Sequence, residues 1–168
     1  NDIDAWDDEW YPKAKTWRNY LSEENLILQA SNKAGYAYEN IDVLDAAYID
    51  GKTALKSIKD LKQFKSNGKP FFLAVGFVKP HLPFNAPKKY WDLYDPKLIT
   101  LPENATFPKS APQRANHKWG ELRAYIDIPK TGPVSDTIAK KLIHGYYASV
   151  SYVDAQIGIL INGLTELG

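Results

Sequence analysis

Histidine is the side chain best suited to proton transfer near neutral pH, and His81 lies in a distinctive setting. It follows an eight-residue apolar run and is bracketed by Pro80 and Pro83, with Lys79 two residues before it. Proline fixes the backbone angle φ, so the two prolines stiffen the segment that carries the imidazole. A rigid imidazole near an ammonium group suits the binding of an anion and the donation of a proton. His81 is therefore a candidate functional residue, with a structural histidine as the alternative.

The other two histidines have weaker settings for chemistry. His144 falls inside a helical pattern, so we expect it to pack or to face solvent. His117 lies in a proline-rich stretch, and we expect an exposed loop residue there.

A cluster of acidic residues opens the chain and could suggest a calcium loop. The EF-hand pattern fails because Trp6 occupies a ligand position and no glycine follows. We interpret the cluster as a solvated loop and expect no metal site in this segment. Its members are Asp2, Asp4, Asp7, Asp8 and Glu9.

The elements that must position His81 are a helix and a strand. From Thr53 apolar residues recur every three positions between lysines, which predicts a half-buried amphipathic helix that Asn67-Gly68 ends. Residues 71–78 are apolar throughout and flanked by prolines, which predicts a strand buried on both faces, as in parallel sheets. A helix followed by a buried strand indicates the α/β class, with His81 just beyond the carboxyl end of the strand, where ligands bind in such sheets.

The remainder of the chain divides into an excursion and a long helix. Residues 85–133 hold many prolines, which predicts a long surface excursion with one or two short helices, for instance over residues 88–94. The first forty residues show no regular pattern. From Ser135, a candidate N-cap, an apolar period predicts a helix that Gly168 stops.

Composition excludes several classes of protein. The 168 residues are 44% hydrophobic and 24% charged, which excludes a disordered chain. A net charge of +1 argues against a nucleic-acid or membrane-surface partner held by bulk charge. No apolar run reaches the roughly 18 residues of a membrane span. Cysteine is absent, so these residues contain no disulfide, thiolate ligand or cysteine nucleophile.

Two blocks of sequence resemble a known family. Residues 70–90 read PFFLAVGFVKPHLPFNAPKKY and residues 146–158 read YYASVSYVDAQIG. Together, in this order, they resemble the type I sulfatases of the alkaline phosphatase superfamily, within them the iduronate-2-sulfatase branch. The resemblance runs from about Ile41 to Gly168. It implies a fragment of an alkaline-phosphatase-like α/β/α sandwich, with a buried strand, flanking helices and the proline-rich excursion.

The resemblance also implies a domain organisation. The family's signature cysteine, its Asp-Asp pair and its later Asp-His pair have no counterpart in these residues, and Asp7-Asp8 should not be mistaken for the first pair. We therefore expect residues 1–168 to be an internal segment of the large catalytic domain, truncated at both ends. The absence of methionine, even at position 1, agrees with this expectation.

The resemblance assigns a role to His81 and supplies cofactors from elsewhere. The family hydrolyses sulfate esters with a formylglycine and calcium, which would both lie outside this segment. His81 matches the histidine of the family's Lys-Pro-His motif, and would contact the sulfate and donate a proton to the leaving oxygen. Lys79 is a second candidate for substrate contact, although we expect it to support the loop.

One stretch mimics the family's signature. Ser110-Ala111-Pro112-Gln113-Arg114 matches the five-residue core Cys/Ser-x-Pro-x-Arg, but the threonine and glycine that should follow are not both present. The match also lies in the proline-rich excursion after the strand. We interpret it as a coincidence.

The expected function is a sulfuric ester hydrolase acting on a sulfated carbohydrate, with the rest of the sulfatase chain as its other partner. The resemblance implies a periplasmic, secreted or lysosomal compartment. The alternative is a carbohydrate-binding or structural module without catalysis, since the 22 aromatic residues would suit one.

Overall fold

Helices dominate the structure. The computed structural model describes residues 9–12, 18–104, 106–115 and 120–168. In these residues short strands β1 and β2 and helices α1 to α5 are joined by loops and single turns of 3-10 helix. Their bounds are Tyr38–Glu39 (β1), Phe84–Asn85 (β2), Glu23–Ala30 (α1), Ile49–Asn67 (α2), Lys88–Trp91 (α3), Glu121–Ala124 (α4) and Asp136–Leu167 (α5), with 3-10 turns at Asp45–Ala47, Pro96–Leu98 and Gln113–Ala115.

Two predicted helices are confirmed, and local capping explains their ends. Helix α2 ends at Asn67 because Gly68 adopts a left-handed conformation with φ of 64°, which glycine reaches without strain. Helix α5 begins where Ser135 accepts a hydrogen bond from the backbone N–H of Ile138, and it continues unbroken to Leu167. The short helix expected after Pro87 is α3.

Helix α1 was not predicted, since the first forty residues show no regular pattern. The side chain of Ser22 accepts from the backbone N–H of Asn25, and Glu23 and Glu24 follow in the first turn. A hydroxyl cap followed by carboxylates stabilises the start of a helix. This local signal marks the helix even though its apolar period is short.

The predicted strand at residues 71–78 is wrong. These residues form no strand, and Phe71 and Phe72 are 51% and 80% exposed. A strand requires a neighbour for its N–H and C=O groups, and no described strand lies beside it. The sheet instead joins β1 and β2 in parallel, with Tyr38 opposite Phe84 and Glu39 opposite Asn85. Parallel pairing was expected, but the strand that pairs with β1 is β2, which follows His81 in the chain.

The core lies where α2, α3 and the small sheet meet α5. Aromatic rings fill it, and the rings of Tyr90 and Tyr152 lie 5.4 Å apart. Tyr152 also accepts a hydrogen bond from the backbone N–H of Gly51, which ties α5 to α2. The buried members of the main cluster are Tyr48, Ala86, Tyr90, Trp91, Ala148 and Tyr152.

The buried faces of the two long helices are unusually small and polar. Helix α2 buries Ala54, Ser57 and Leu61, whereas Leu55 of the predicted apolar stripe is 55% exposed. Helix α5 buries Ser149 and other small or polar residues, and its apolar residues lie mostly outside. Those exposed apolar residues of α5 are Tyr146, Tyr147, Val150, Ile157, Ile161 and Leu164. No helix of the described part of the chain is long and apolar enough to cross a membrane.

Candidate functional site

A buried carboxylate anchors the loop that carries His81. Asp50, in the first turn of α2, accepts hydrogen bonds from the backbone N–H groups of Val78 (2.8 Å) and Lys79 (2.9 Å). The Asp50 side chain is almost fully buried. Burial raises the pKa of the Asp50 carboxyl, and the two hydrogen bonds from the backbone oppose that rise. The loop is therefore fixed to α2 immediately before the Lys-Pro-His sequence.

Lys79 holds the same loop from inside. Its ammonium donates to the backbone carbonyls of His81 (3.0 Å) and Pro83, so the side chain closes the loop on itself. Burial lowers the pKa of Lys79 to about 8, against the opposing effect of the Asp50 and Glu39 carboxylates. The peptide bonds that precede Pro80 and Pro83 are both cis.

The imidazole of His81 has a defined tautomer and orientation. Its Nδ1 lies 2.7 Å from the carbonyl oxygen of Leu82. Because a carbonyl can only accept, Nδ1 carries a hydrogen and Nε2 is the atom that exchanges a proton. The backbone N–H of His81 donates to the carbonyl of Val78, which completes the turn. Just over half of the side chain is exposed.

The ring faces an open cleft with a volume of about 490 Å³. Phe77 and Val78 supply an apolar wall, and Glu121, the first residue of α4, lies opposite. The Nε2 of His81 is 3.6 Å from Oε2 of Glu121. An imidazole beside a carboxylate, in a cleft with an apolar wall, can donate a proton to a bound ligand.

The structure separates the other predicted residues from this cleft. His144 is buried, and its Nε2 donates to the carbonyl of Trp91 at 2.8 Å, which agrees with the packing role expected for it. Ser110 lies in an exposed turn and does not line the cleft. His117 lies outside the described residues, as do Asp2, Asp4, Asp7 and Asp8.

No group of three His, Asp or Glu side chains in the described ranges comes together in a way that could hold a metal ion. Lys79 and His81 share a loop, but only His81 lines the cleft.

Two residues of the site escaped the sequence analysis. Asp50 looks like an ordinary acidic residue at a helix start, and Glu121 lies 40 positions after His81 in the proline-rich excursion. Neither residue carries a local signal, because its partner lies far away along the chain.

Comparison with known proteins identifies the family. The model of the sulfatase family matches residues 3–168. The chain belongs to the sulfatase family. This sulfatase segment is 35% identical to the iduronate 2-sulfatase of Mus musculus over 132 residues, which are 75% of this chain and 24% of the relative.

Other relatives agree with this placement. The iduronate 2-sulfatase of Homo sapiens is 35% identical over 133 residues, 76% of this chain and 24% of the relative. An arylsulfatase of Clostridium perfringens is 30% identical over 109 residues, 65% of this chain and 21% of the relative. The predicted resemblance to type I sulfatases of the iduronate-2-sulfatase kind is confirmed. The segment spans about a quarter of the length of the iduronate 2-sulfatases that it matches.

The family also bears on the fold class. Membership in the sulfatase family implies an α/β fold of the alkaline phosphatase type. Helices around a small parallel sheet are consistent with a part of such a fold. The α/β class is therefore confirmed. The strand predicted at residues 71–78, from which this class was inferred, is not.

Proposed function

We propose that residues 1–168 are an internal segment of the catalytic domain of a sulfatase that hydrolyses sulfate esters of sugars, in the manner of an iduronate 2-sulfatase. The proposal rests mainly on the position of His81. A loop that is hydrogen-bonded to Asp50 presents this histidine to an open cleft, and the chain belongs to the sulfatase family. The names of the matched relatives, iduronate 2-sulfatase and arylsulfatase, supply the reaction class. The runner-up, a carbohydrate-binding module without catalysis, has no comparable support.

We also propose that the segment is part of an α/β/α sandwich. In an α/β/α sandwich both faces of the central sheet are covered by helices, and its strands are apolar throughout. Residues 71–78 have that composition, and α5 turns apolar side chains outward. Both features fit a segment whose apolar surfaces pack against further parts of a larger domain.

His81 acts in this proposal on the sulfate ester itself. Its Nε2 hydrogen contacts a sulfate oxygen or the bridging oxygen of the bound ester. When the bond between sulfur and the bridging oxygen breaks, the electron pair goes to that oxygen, which takes the proton from Nε2. The ring is left neutral until solvent returns a proton. Protonation of this kind matters most when the leaving group is a sugar hydroxyl, which is a poor leaving group.

Lys79 has a supporting role in the proposal. Because its ammonium is engaged with the carbonyls of His81 and Pro83, it shapes the loop and does not reach the sulfate. The contact with substrate that the sequence analysis allowed for Lys79 is therefore not part of the proposed mechanism.

The cofactors that the family implies do not fit the residues present. The sequence has no cysteine from which a formylglycine could form, and the described residues bring no three metal-ligating side chains together. We propose that the formylglycine and the calcium belong to other parts of the longer chain. The partners are then the sulfated carbohydrate and the remainder of the sulfatase, in a periplasmic, secreted or lysosomal compartment.

The test is replacement of His81 by alanine in the full-length protein. We expect turnover to fall by a factor on the order of 10²–10⁴, the range usual for a general acid. The loss should be larger for a sulfated sugar than for an aryl sulfate, because an aryl oxygen leaves more readily without a proton. Steady-state kinetics on both substrates measure this. Equal losses on both substrates would mean that His81 binds the sulfate but does not protonate the leaving oxygen. Unchanged turnover would mean that His81 has no part in the mechanism.

His144 offers the matched contrast. It is buried and donates to the carbonyl of Trp91, so its replacement by alanine leaves that acceptor unpaired. We expect the His144→Ala protein to unfold at a lower temperature, with a cost of about 1–3 kcal/mol. The turnover of the molecules that remain folded should change little. Replacement of His81 should therefore lower turnover, whereas replacement of His144 should lower stability.

A further inference from the structure

Among the described residues that line the cleft, Glu121 is the only carboxylate, and nothing in the sequence links it to His81. We propose that Glu121 is a positioning residue for the His81 imidazole, holding the ring so that Nε2 points at the leaving oxygen. This inference rests on the proposed function, because it assigns Glu121 a part in the proton transfer proposed for His81.

The pair of contacts on the ring supports this role. Nδ1 is held by the carbonyl of Leu82 at 2.7 Å, and Nε2 faces Oε2 of Glu121 at 3.6 Å. Contacts on opposite edges of an imidazole fix both its position and its rotation. The distance of 3.6 Å is too long for a hydrogen bond, so the carboxylate orients the ring electrostatically without engaging the proton of Nε2.

One oxygen of the partly buried Glu121 carboxylate argues against a purely structural role. Its Oε1 is shielded from solvent and has no hydrogen-bond partner among the residues the structure describes. A buried acceptor without a partner costs free energy.

Glu39 shows what a structural carboxylate looks like in the same protein. It is 4% exposed, and its two oxygens accept hydrogen bonds from the four donors Leu21 N, Ser22 N, Asn25 Nδ2 and Tyr48 Oη. The described residues supply no such set of donors to the Glu121 carboxylate, and its Oε2 faces Nε2 of His81.

The element that carries Glu121 is well anchored. Tyr125, next to α4, is fully buried, and the backbone N–H of Ile126 donates to the carbonyl of Gly35. The carboxylate of Asp127 accepts from the backbone N–H of Ala37, beside β1. Helix α4 is thus tied to the segment that leads into the sheet, so that Glu121 has a fixed place relative to the loop that follows residue 78.

The experiment is a double-mutant cycle in the full-length protein. The variants are His81→Ala, Glu121→Ala and the double substitution, with Glu121→Gln as the variant of matched shape. Glu166→Gln, an exposed carboxylate at the far end of α5, is the control. Turnover is measured on p-nitrophenyl sulfate and on a sulfated iduronate disaccharide, and thermal unfolding is recorded for every variant.

We expect Glu121→Ala to lower kcat on the disaccharide by about tenfold, in the range of coupling between residues in contact. The KM should change by less than about twofold, since the ring is misplaced for proton transfer while the substrate still binds. Glu121→Gln should show most of the same loss, because it keeps the shape and removes the charge. On the same substrate, Glu121→Ala should cause no further loss in the His81→Ala background.

Other results would overturn the inference in distinguishable ways. If His81→Ala is impaired and both Glu121 variants are fully active, Glu121 has no part in positioning and the proposed function stands. If the loss from Glu121→Ala is the same in both backgrounds, Glu121 acts independently of His81. If His81→Ala itself turns over normally, the proposed role of His81 fails, and the role of Glu121 fails with it.

Discussion

At the scale of single residues, two charged side chains hold the loop that presents His81 to the cleft. The Asp50 carboxylate binds the backbone before the Lys-Pro-His sequence, and the Lys79 ammonium binds the backbone within and after it. From the sequence, Lys79 is a candidate for substrate contact that we expect to support the loop. Its position in the fold makes it a brace for the loop, which leaves His81 and Glu121 at the cleft.

The lowered pKa of Lys79 predicts a pH dependence of stability. In the folded protein Lys79 has a pKa of about 8, whereas an unfolded lysine has a pKa of about 10.4. Between these values the unfolded chain holds more protons, so the contribution of Lys79 to the free energy of unfolding rises with pH. Buried tyrosines act in the opposite direction above about pH 10, because their pKa values are raised.

The measurement compares the wild type with Lys79→Met by chemical denaturation from pH 7.5 to about 10. Subtracting the two curves cancels every other titrating group. We expect the difference in unfolding free energy, wild type minus variant, to grow steadily through this window. A difference that stays constant would show that the Lys79 ammonium is as well solvated in the folded protein as in the unfolded chain.

At the scale of elements, the close approach of α5 to its neighbours organises the fold. An added Cβ at Gly145 would lie 2.8 Å from Cη2 of Trp91 and 2.9 Å from Cβ of Phe84. Glycine is required there because α5 crosses β2 and α3 with no room for a methyl group. At Gly163 an added Cβ would meet the Ile58 side chain, where the close approach of 2.2 Å is to the terminal methyl, and that flexible end can rotate away.

This contrast predicts different outcomes for two similar substitutions. Gly145→Ala should destabilise the full-length protein by about 1–3 kcal/mol, because the indole ring of Trp91 and the Cβ of Phe84 must shift. Gly163→Ala should be near neutral, since a helix interior gains roughly 0.5–1 kcal/mol when glycine becomes alanine, which offsets a small rearrangement. Thermal unfolding of both variants measures the difference. Equal destabilisation would mean that α5 does not approach Trp91 as closely as described.

At the scale of the whole molecule, the segment presents apolar surface on two sides. Phe71 and Phe72 precede the His81 loop with most of their surface exposed, and the outer face of α5 is lined with aliphatic side chains. Patches of this kind normally mark an interface. If residues 1–168 are the internal segment proposed above, these surfaces are buried against the rest of the sulfatase domain.

The isolated segment is therefore expected to associate and to lack activity. The exposed apolar side chains of Phe71, Phe72 and the outer face of α5 favour self-association. Sedimentation velocity and aryl sulfate hydrolysis on the purified 168 residues, with and without calcium, provide the test. A stable monomer would contradict the proposed burial of these surfaces. Turnover that disappears in Ser110→Ala would instead restore the signature-like stretch as a nucleophile site.

The sequence by itself determined the features that depend on neighbours along the chain. Gly68 ends α2 and Ser135 begins α5 because capping acts within one helical turn. The two matching blocks identified the family, and His81 was recognised within one of them.

Only the tertiary structure decided which distant groups meet. Strand formation at residues 71–78 failed as a prediction because pairing depends on a neighbouring strand, which the composition of the segment cannot specify. The meeting of Asp50 with the backbone of Lys79, and of Glu121 with His81, likewise depends on packing between elements. Local preferences act over a few residues, whereas these contacts join positions 29 and 40 residues apart, where only the packed core brings the chain together.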